Sequence, residues 1–232
     1  MLARLDIATS FLASAARLGT GLYVGALGPR PLKLLQLFEF EGCPFCRKVR
    51  EALAILDLDA QVYPCPKGGQ RYRPLVHARG GMSQFPYLVD PNTGQSMYES
   101  SLIVRYLFTN YGNGSVPLML KLRPLADLTS TLASYMRLFR GTYYHNARRP
   151  KKLLELYGIE PCPDSRCARE ELSRLEIAYV LRNVSRNSPR REQVKTRIGT
   201  NNLPYLVDPN TGTHVGAVGD IVRYLRETYA LG

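Results

Sequence analysis

The chain has 232 residues, of which 45% are hydrophobic, and it carries a net charge of +12. This length and composition are typical of a globular protein with one large or two small domains. Five cysteines, an odd number, argue against a secreted scaffold held together by disulfides.

The N-terminal stretch, residues 10–27, is mostly apolar but is interrupted by Arg17, so the sequence predicts no transmembrane segment. Its pattern returns in mid-chain, where residues 129–134 align with residues 9–14. A cleaved leader has no reason to recur, so we predict a helix that opens each of two repeats. Apolar residues at near-helical spacing mark it in both copies. They are Leu12, Ala16 and Tyr23 in the first copy and Leu132, Met136 and Tyr143 in the second.

A cysteine motif follows the first predicted strand. Residues 34–40 predict that strand, residues 47–56 predict a helix, and C-P-F-C lies between them at 43–46. A C-x-x-C pair at such a junction is typical of a redox site. Free N–H groups and the helix dipole would stabilise Cys43 as a thiolate nucleophile, and Cys46 could resolve a mixed disulfide. The alternative, half of a zinc site, lacks a suitably spaced second pair, so we expect no metal.

The rest of the first repeat predicts a second strand (60–63), a helical crossover (70–79), two strands joined by a turn (90–94) and a last helix (101–111). The second half repeats this order. Residues 85–94 and 203–212 agree at nine of ten positions, which indicates duplication. Residues 113–117 combine Asn, Gly, Ser and Pro, as boundaries do. We therefore predict repeats over 1–113 and 114–232.

Three features of the first repeat occur together: the C-P-F-C motif, Phe85-Pro86 before a strand, and Glu99-Ser100 at the last helix. In this combination the chain resembles the glutaredoxin and glutathione S-transferase N-terminal domain family. The resemblance implies an α/β fold of two tandem thioredoxin-like domains. Each domain would have a four-stranded mixed sheet, helices on both faces and an extra N-terminal helix. The resemblance also implies that Pro86 is cis, that the Phe85 backbone pairs with the cysteinyl part of glutathione, and that Glu99 and Ser100 hold its γ-glutamyl end.

The second repeat differs at these positions. Cys162 aligns with the first motif cysteine, but Ser165 replaces the second, and Ala217-Val218 replaces the Glu-Ser pair, whereas Pro204 remains. We predict a mainly structural repeat in which Cys162 is a candidate thiol. Single-cysteine motifs of the family can bind an iron–sulfur cluster with glutathione; the missing Glu-Ser pair argues against a cluster here.

The charged residues near the motif have opposite effects on the pKa of Cys43. Glu39 and Glu41 oppose a thiolate, whereas Arg47 and Lys48 favour it, so the sign of the pKa shift stays open. Cys65, between two prolines, is interpreted as a packed thiol or, alternatively, as a third redox partner. The positive charge is concentrated in the second half, +8 over residues 119–232 against +4 before them. Without a recognised nucleic-acid motif, we expect a solvated basic face or an acidic partner rather than specific nucleic-acid binding.

The functional hypothesis is a glutaredoxin-like oxidoreductase that uses glutathione as co-substrate and acts on disulfide-containing or glutathionylated client proteins. A reducing intracellular compartment suits it, either the cytoplasm or an organelle if a leader has been removed. One alternative is a non-catalytic binding module, which predicts a buried, unreactive Cys43. Another is a glutathione-dependent transferase or isomerase, which predicts an apolar pocket beside Cys43. Conjugating activity is disfavoured because a second repeat stands where transferases have an all-helical domain.

Overall fold

The computed structural model describes residues 9–12, 14–15, 17–25, 27–121 and 123–231. Residues 9–12 and 14–15 are helical and are called α1. The first half continues with β1 (Leu35–Glu39), α2 (Pro44–Ile55), β2 (Ala60–Pro64), α3 (Arg73–Gly80), β3 (Tyr87–Asp90), β4 (Gln95–Met97) and α4 (Ser100–Tyr111). The second half begins with α5 (Leu118–Lys121) and α6 (Arg123–Met136). It continues with β5 (Leu154–Gly158), α7 (Pro163–Arg174), β6 (Tyr179–Asn183), α8 (Arg191–Ile198), β7 (Tyr205–Asp208), β8 (Thr213–Val215) and α9 (Val218–Tyr229).

The two halves form one mixed sheet of eight strands in the order β4-β3-β1-β2-β6-β5-β7-β8. Within each half, the first two strands are parallel and the hairpin strands are antiparallel. Each half therefore has the predicted four-stranded thioredoxin-like sheet. The halves join because β2 pairs antiparallel with β6, with Gln61 opposite Val180. This pairing covers two strand edges that would otherwise be open.

Alternating strand residues supply the cores on the two faces of the sheet. In β1, Leu35 and Leu37 pack with α2 and α4, whereas Phe38 packs on the opposite side with Val76 of α3. This alternation follows from the two-residue period of a strand. Helices therefore lie on both faces, as predicted, and the second half repeats the arrangement.

In the described residues, the predicted opening helices end earlier than expected. Tyr23 and Tyr143 lie beyond them and are 53% and 66% exposed. Leu18 and Leu138 both have φ of +50°, a left-handed conformation that ends a right-handed helix. Ala16, also part of that prediction, lies outside the described residues.

The opening helices cross between the halves. Ser10 of α1 donates a hydrogen bond to the carbonyl of Pro163, the first residue of α7, at 3.1 Å. Correspondingly, Asp127 of α6 forms an ion pair with Lys48 of α2. Each motif helix is thus contacted by the opening helix of the other repeat.

A buried cluster of charges occupies the boundary between the halves. Arg50 of α2 pairs with Glu39, with Glu41 at 3.0 Å and with Glu160 of the second half at 3.2 Å. Arg169 of α7 pairs with Glu41 at 3.0 Å and with Glu160 at 3.2 Å. All five side chains are at most 3% exposed. Two arginines thus share carboxylates from both repeats.

Candidate functional site

Cys43 caps the N-terminus of α2. Its backbone is extended, with φ −78° and ψ 119°, and Pro44 occupies the first helical position, where no N–H is needed. The Cys46 backbone N–H donates to Cys43 Sγ at 3.3 Å. The structure therefore places the two motif cysteines as the sequence predicted, with Cys43 only 4% exposed and Cys46 fully buried.

The two thiols have opposite pKa shifts. Burial raises the pKa of Cys43, but the hydrogen bonds from Cys46 and from the Phe45 N–H outweigh it, so the net pKa lies below its ordinary value. Burial also raises the pKa of Cys46, and the hydrogen bond to Cys43 raises it further, well above the ordinary value. Of the two motif cysteines, Cys43 is therefore the one whose surroundings favour the thiolate, whereas the surroundings of Cys46 favour its protonated form.

The residue before the cis-proline faces Cys43. The Phe85–Pro86 peptide is cis, as the resemblance implied, and Cys43 Sγ lies 4.0 Å from the Phe85 carbonyl oxygen. This places the Phe85 backbone where an extended thiol peptide could lie against Cys43.

Glu99 and Ser100 meet the same edge of the site. Glu99 precedes α4, is exposed and has φ of +66°, which is uncommon for a residue other than glycine. Its carboxylate accepts a hydrogen bond at 2.5 Å from the amide of Gln84, the neighbour of Phe85. Ser100 is buried as the first residue of α4, where backbone N–H groups lack helical partners. A carboxylate side chain and a helix N-terminus thus lie near Phe85.

Sequence reasoning missed Arg73, the first residue of α3. Its guanidinium lies 4.7 Å from the Phe85 ring centroid and 5.9 Å from that of Phe40. Its Nε donates to the carbonyls of Cys65 and Pro66, which fix the side chain. A positive charge therefore stands beside Phe85. The only signal in the sequence was a basic residue in the polar crossover.

The positive charge expected beside Cys43 is already paired or buried. The Lys48 ammonium is bound by Asp127, and Arg47 is 2% exposed, with a pKa that burial lowers. Glu39, in contrast, acts on the thiol as predicted, because its charge raises the pKa of Cys43. The net lowering comes from local hydrogen bonds within the motif.

The second repeat places Cys162, Ser165 and Pro204 as their counterparts are placed. Cys162 precedes α7 but accepts no capping hydrogen bond, and Leu203–Pro204 is cis. Ser165 is fully buried, and its hydroxyl accepts the Ile159 N–H at 3.3 Å. Ala217 precedes α9 where Glu99 precedes α4.

The remaining cysteines have local packing roles. Cys65 is fully buried beside Tyr72 and Val76, and burial raises its pKa well above the ordinary value. Cys167 is half-buried, and its sulfur accepts a hydrogen bond from Arg137 at 3.7 Å. These contacts agree with Cys65 as a packed thiol.

Two features are absent from the described part of the chain. Within residues 9–12, 14–15, 17–25, 27–121 and 123–231, no helix is long and apolar enough to cross a membrane. Over the same ranges, no cluster of three or more His, Cys, Asp or Glu residues could hold a metal ion.

Both halves are thioredoxin-like domains, and the first presents a capping cysteine beside a cis-proline. The family model of the glutathione S-transferase N-terminal domain matches residues 37–115 and again residues 156–231. The chain therefore belongs to this family and contains two copies of its domain, which confirms the resemblance. Searches of curated proteins and of solved structures found no match. The family indicates a glutathione-related thiol function.

Proposed function

We propose that the protein is a glutathione-dependent thiol–disulfide oxidoreductase with one working site, in the first repeat. The observation that carries the proposal is Cys43 at the N-terminus of α2. There its sulfur accepts the Cys46 N–H at 3.3 Å and its pKa is lowered. A stabilised thiolate at neutral pH is what attack on a disulfide requires.

The proposed reaction has two steps. The Cys43 thiolate attacks the glutathione sulfur of a glutathionylated client and breaks the disulfide bond between client and glutathione. The client sulfur leaves as a thiolate and takes up a proton. Cys43 then carries glutathione in a mixed disulfide. Either a second glutathione thiolate attacks that disulfide and releases oxidised glutathione, or Cys46 attacks Cys43 and releases reduced glutathione. The second route leaves a Cys43–Cys46 disulfide, which two further glutathione molecules reduce.

Glutathione binding is assigned to four residues around Cys43. The Phe85 backbone, exposed by cis-Pro86, would pair with the cysteinyl part. Glu99 would pair with the γ-glutamyl ammonium, and the N-terminus of α4 at Ser100 would receive its carboxylate. In this proposal glutathione replaces the Gln84 amide on Glu99.

The test is a brief exposure to oxidised glutathione, followed by capping of free thiols and peptide mapping by mass spectrometry. We expect a glutathione adduct on Cys43 or a Cys43–Cys46 disulfide, and we expect Cys43→Ser to abolish glutathione-dependent reductase activity. The matched control is Cys162→Ser in the second repeat, which should keep that activity. Activity that survives Cys43→Ser, or equal modification of all five cysteines, would refute the proposal.

The burial of Cys43 favours a second candidate, a non-catalytic binding module. Cys43 is 4% exposed, and this burial is one of the two properties that the alternative expects, a buried and unreactive thiol. The basic second half would then contact an acidic protein. The rate of Cys43 alkylation by iodoacetamide distinguishes the two. A rate above that of a free thiol at pH 7 supports the oxidoreductase, and no reaction in the folded state supports the module.

The transferase or isomerase alternative receives less support from the cavities. Two cavities in the described part of the chain measure about 560 and 570 Å³. The first is lined by residues such as Val104 and Leu120, and the second by residues such as Leu138 and Cys167. Cys43 lines neither of them, so neither is the apolar pocket that this alternative needs.

A further inference from the structure

Each motif helix carries a buried arginine toward the opening helix of the other repeat, and the second repeat shows how this arginine is bound. Arg166 of α7 donates to the Ser10 carbonyl of α1, to Ser10 Oγ at 3.0 Å and to Ser14 Oγ at 2.9 Å. Ser10 Oγ donates to the Pro163 carbonyl at 3.1 Å, and Ser14 Oγ donates to the Pro161 carbonyl at 2.5 Å. Both serine hydroxyls and both terminal nitrogens of this arginine are therefore hydrogen-bonded.

The first repeat has the same three side chains without these hydrogen bonds. Arg47 of α2 and Ser130 and Ser134 of α6 occupy the matching positions in the sequence. Ser130 and Ser134 are fully buried, and Arg47 is 2% exposed. Within the part of the chain that the structure describes, Arg47 Nε and both serine hydroxyls have no hydrogen-bond partner. Three buried donors of the first repeat thus stand without an acceptor.

The three donors belong to one junction, between α2 and α6. Ser130 and Ser134 lie one turn apart on the face of α6 that also carries Asp127. Asp127 forms an ion pair with Lys48, the neighbour of Arg47 on α2. Since the duplicated junction between α1 and α7 brings the matching side chains into contact, we infer that Arg47 faces the two serines. The separation is too large for the direct hydrogen bonds of the second repeat.

The charge of Arg47 also lacks a partner among the described residues. Two other buried arginines of the motif helices are close to a carboxylate: Arg50 Nη2 lies 3.0 Å from Glu41, and Arg166 Nε lies 4.0 Å from it. Arg47 forms no ion pair with any residue that the structure describes, and a guanidinium stays protonated at neutral pH. A buried charge without a partner is costly. The unpartnered donors and the unpaired positive charge together favour an anion as their acceptor.

We propose that a small inorganic monoanion, a halide such as chloride, binds between Arg47, Ser130 and Ser134. The guanidinium Nε–H and the two hydroxyls would donate to it, so each unpartnered donor gains an acceptor. One negative charge matches one unpaired cation, whereas a divalent phosphate or sulfate would bring excess charge into a buried site at a higher desolvation cost. We expect no such ion in the second repeat, where the matching donors are already bonded. The inference goes beyond the proposed function and does not depend on it.

A water molecule is the competing occupant of this junction. Water would also accept hydrogen bonds from Arg47 and the serines, but it would leave the positive charge unpaired. The two occupants differ in what they do to stability. A halide that binds only the folded state stabilises it in proportion to its concentration, whereas bound water makes stability independent of which anion is present. Dependence on the identity of the anion therefore separates them.

The experiment uses bromide, which resembles chloride in size and can be located by its anomalous scattering. Urea unfolding is measured in the reduced full-length protein while sodium bromide replaces sodium gluconate at constant ionic strength, because gluconate is too large for the site. Three proteins are compared: wild type, the double variant Ser130→Ala/Ser134→Ala, and the matched control Ser10→Ala/Ser14→Ala from the other junction. Crystals of the wild-type protein grown in bromide give an anomalous difference map.

In wild type, each tenfold rise in bromide above its dissociation constant should increase the folding equilibrium constant about tenfold. Ser130→Ala/Ser134→Ala should lose this dependence. Ser10→Ala/Ser14→Ala should keep it and be less stable at every concentration, because it removes existing hydrogen bonds.

The wild-type map should show a bromide peak beside Arg47 Nε and the two α6 hydroxyls, and this readout serves even if a variant does not fold. Three results would overturn the inference. They are an equal bromide dependence in wild type and in Ser130→Ala/Ser134→Ala, a water molecule at Arg47 in the map, and peaks at other places alone, which would indicate an adventitious ion only. None of these results bears on the reactivity of Cys43, so the proposed function is tested separately.

Discussion

Replacing Glu160 by Gln should strongly destabilise the whole chain, because Glu160 holds two arginines from different halves. It is 3% exposed, and its carboxylate lies 3.2 Å from Arg50 Nε and 3.2 Å from Arg169 Nη2. Removing one partner of a buried ion pair costs about 3–5 kcal/mol. Both arginines keep Glu41, and the new amide can still accept a hydrogen bond, so we expect the lower end, about 3 kcal/mol.

The assay is equilibrium unfolding in urea at pH 7.5, monitored by circular dichroism. With a slope near 3 kcal/mol per molar urea, a loss of about 3 kcal/mol lowers the midpoint by about 1 M. The matched control is Glu192→Gln, whose carboxylate is 84% exposed and 3.9 Å from Lys195; it should shift stability by less than about 0.5 kcal/mol. A shift below about 1 kcal/mol in Glu160→Gln would show that the buried cluster does not couple the halves energetically.

Two further predictions concern pH and close packing. Burial raises the pKa of Glu39 to about 7, so its contribution to stability is present below pH 4.5 and is lost as the pH rises through 7. Arg169 and Arg50 overcome burial to lower the pKa of Glu41 to about 2, so its contribution is present above pH 4.5 and is lost as the pH falls through 2. Urea midpoints from pH 5 to 8 should therefore fall, and Glu39→Gln should flatten that fall; an equal slope in both proteins would contradict this. Gly42→Ala should lower the melting temperature, because the added Cβ would lie 2.1 Å from Thr142 Oγ1. The Cβ added in Gly219→Ala has nothing within 4 Å, so that change should stabilise α9 by about 0.5–1 kcal/mol. Equal melting temperatures for the two alanine variants would refute the packing argument.

The duplicated sequence made the fold of each half predictable. Nine identities between residues 85–94 and 203–212 fixed the two hairpins, and the strand–motif–helix order fixed the parallel strands. The position of Cys43 at the N-terminus of α2 could also be predicted from the sequence. A helix that begins shortly after a strand constrains the backbone of the residue that caps it. The C-terminal ends of the opening helices could not be predicted, since a left-handed residue such as Leu18 carries no distinctive sequence signal.

The boundary between the halves could not be predicted from the sequence. Charged residues are usually exposed, so nothing marked Arg50 or Arg169 as buried, although their alignment in the two repeats was visible. The pairing of β2 with β6 could not be predicted either. It depends on which strand edges remain unpaired once each half has folded, and this is a property of the three-dimensional structure. Arg73 was missed for a related reason, because its contact with the Phe85 ring joins elements that are distant in sequence.

The differences between the repeats separate chemistry from packing. Packing positions repeat, as Leu37 and Leu156 do in the two cores, and so does the arginine that each motif helix contributes to the buried cluster. The positions that differ are those around the thiols, including Glu39 and Cys46. The second half therefore retains what the first half needs from it, namely a strand for the β2 edge, a carboxylate for Arg50 and a helix against α2. In this arrangement the second repeat, which has Ser165 in place of Cys46, still supplies Glu160 and Arg169 to the buried cluster of charges around Glu39.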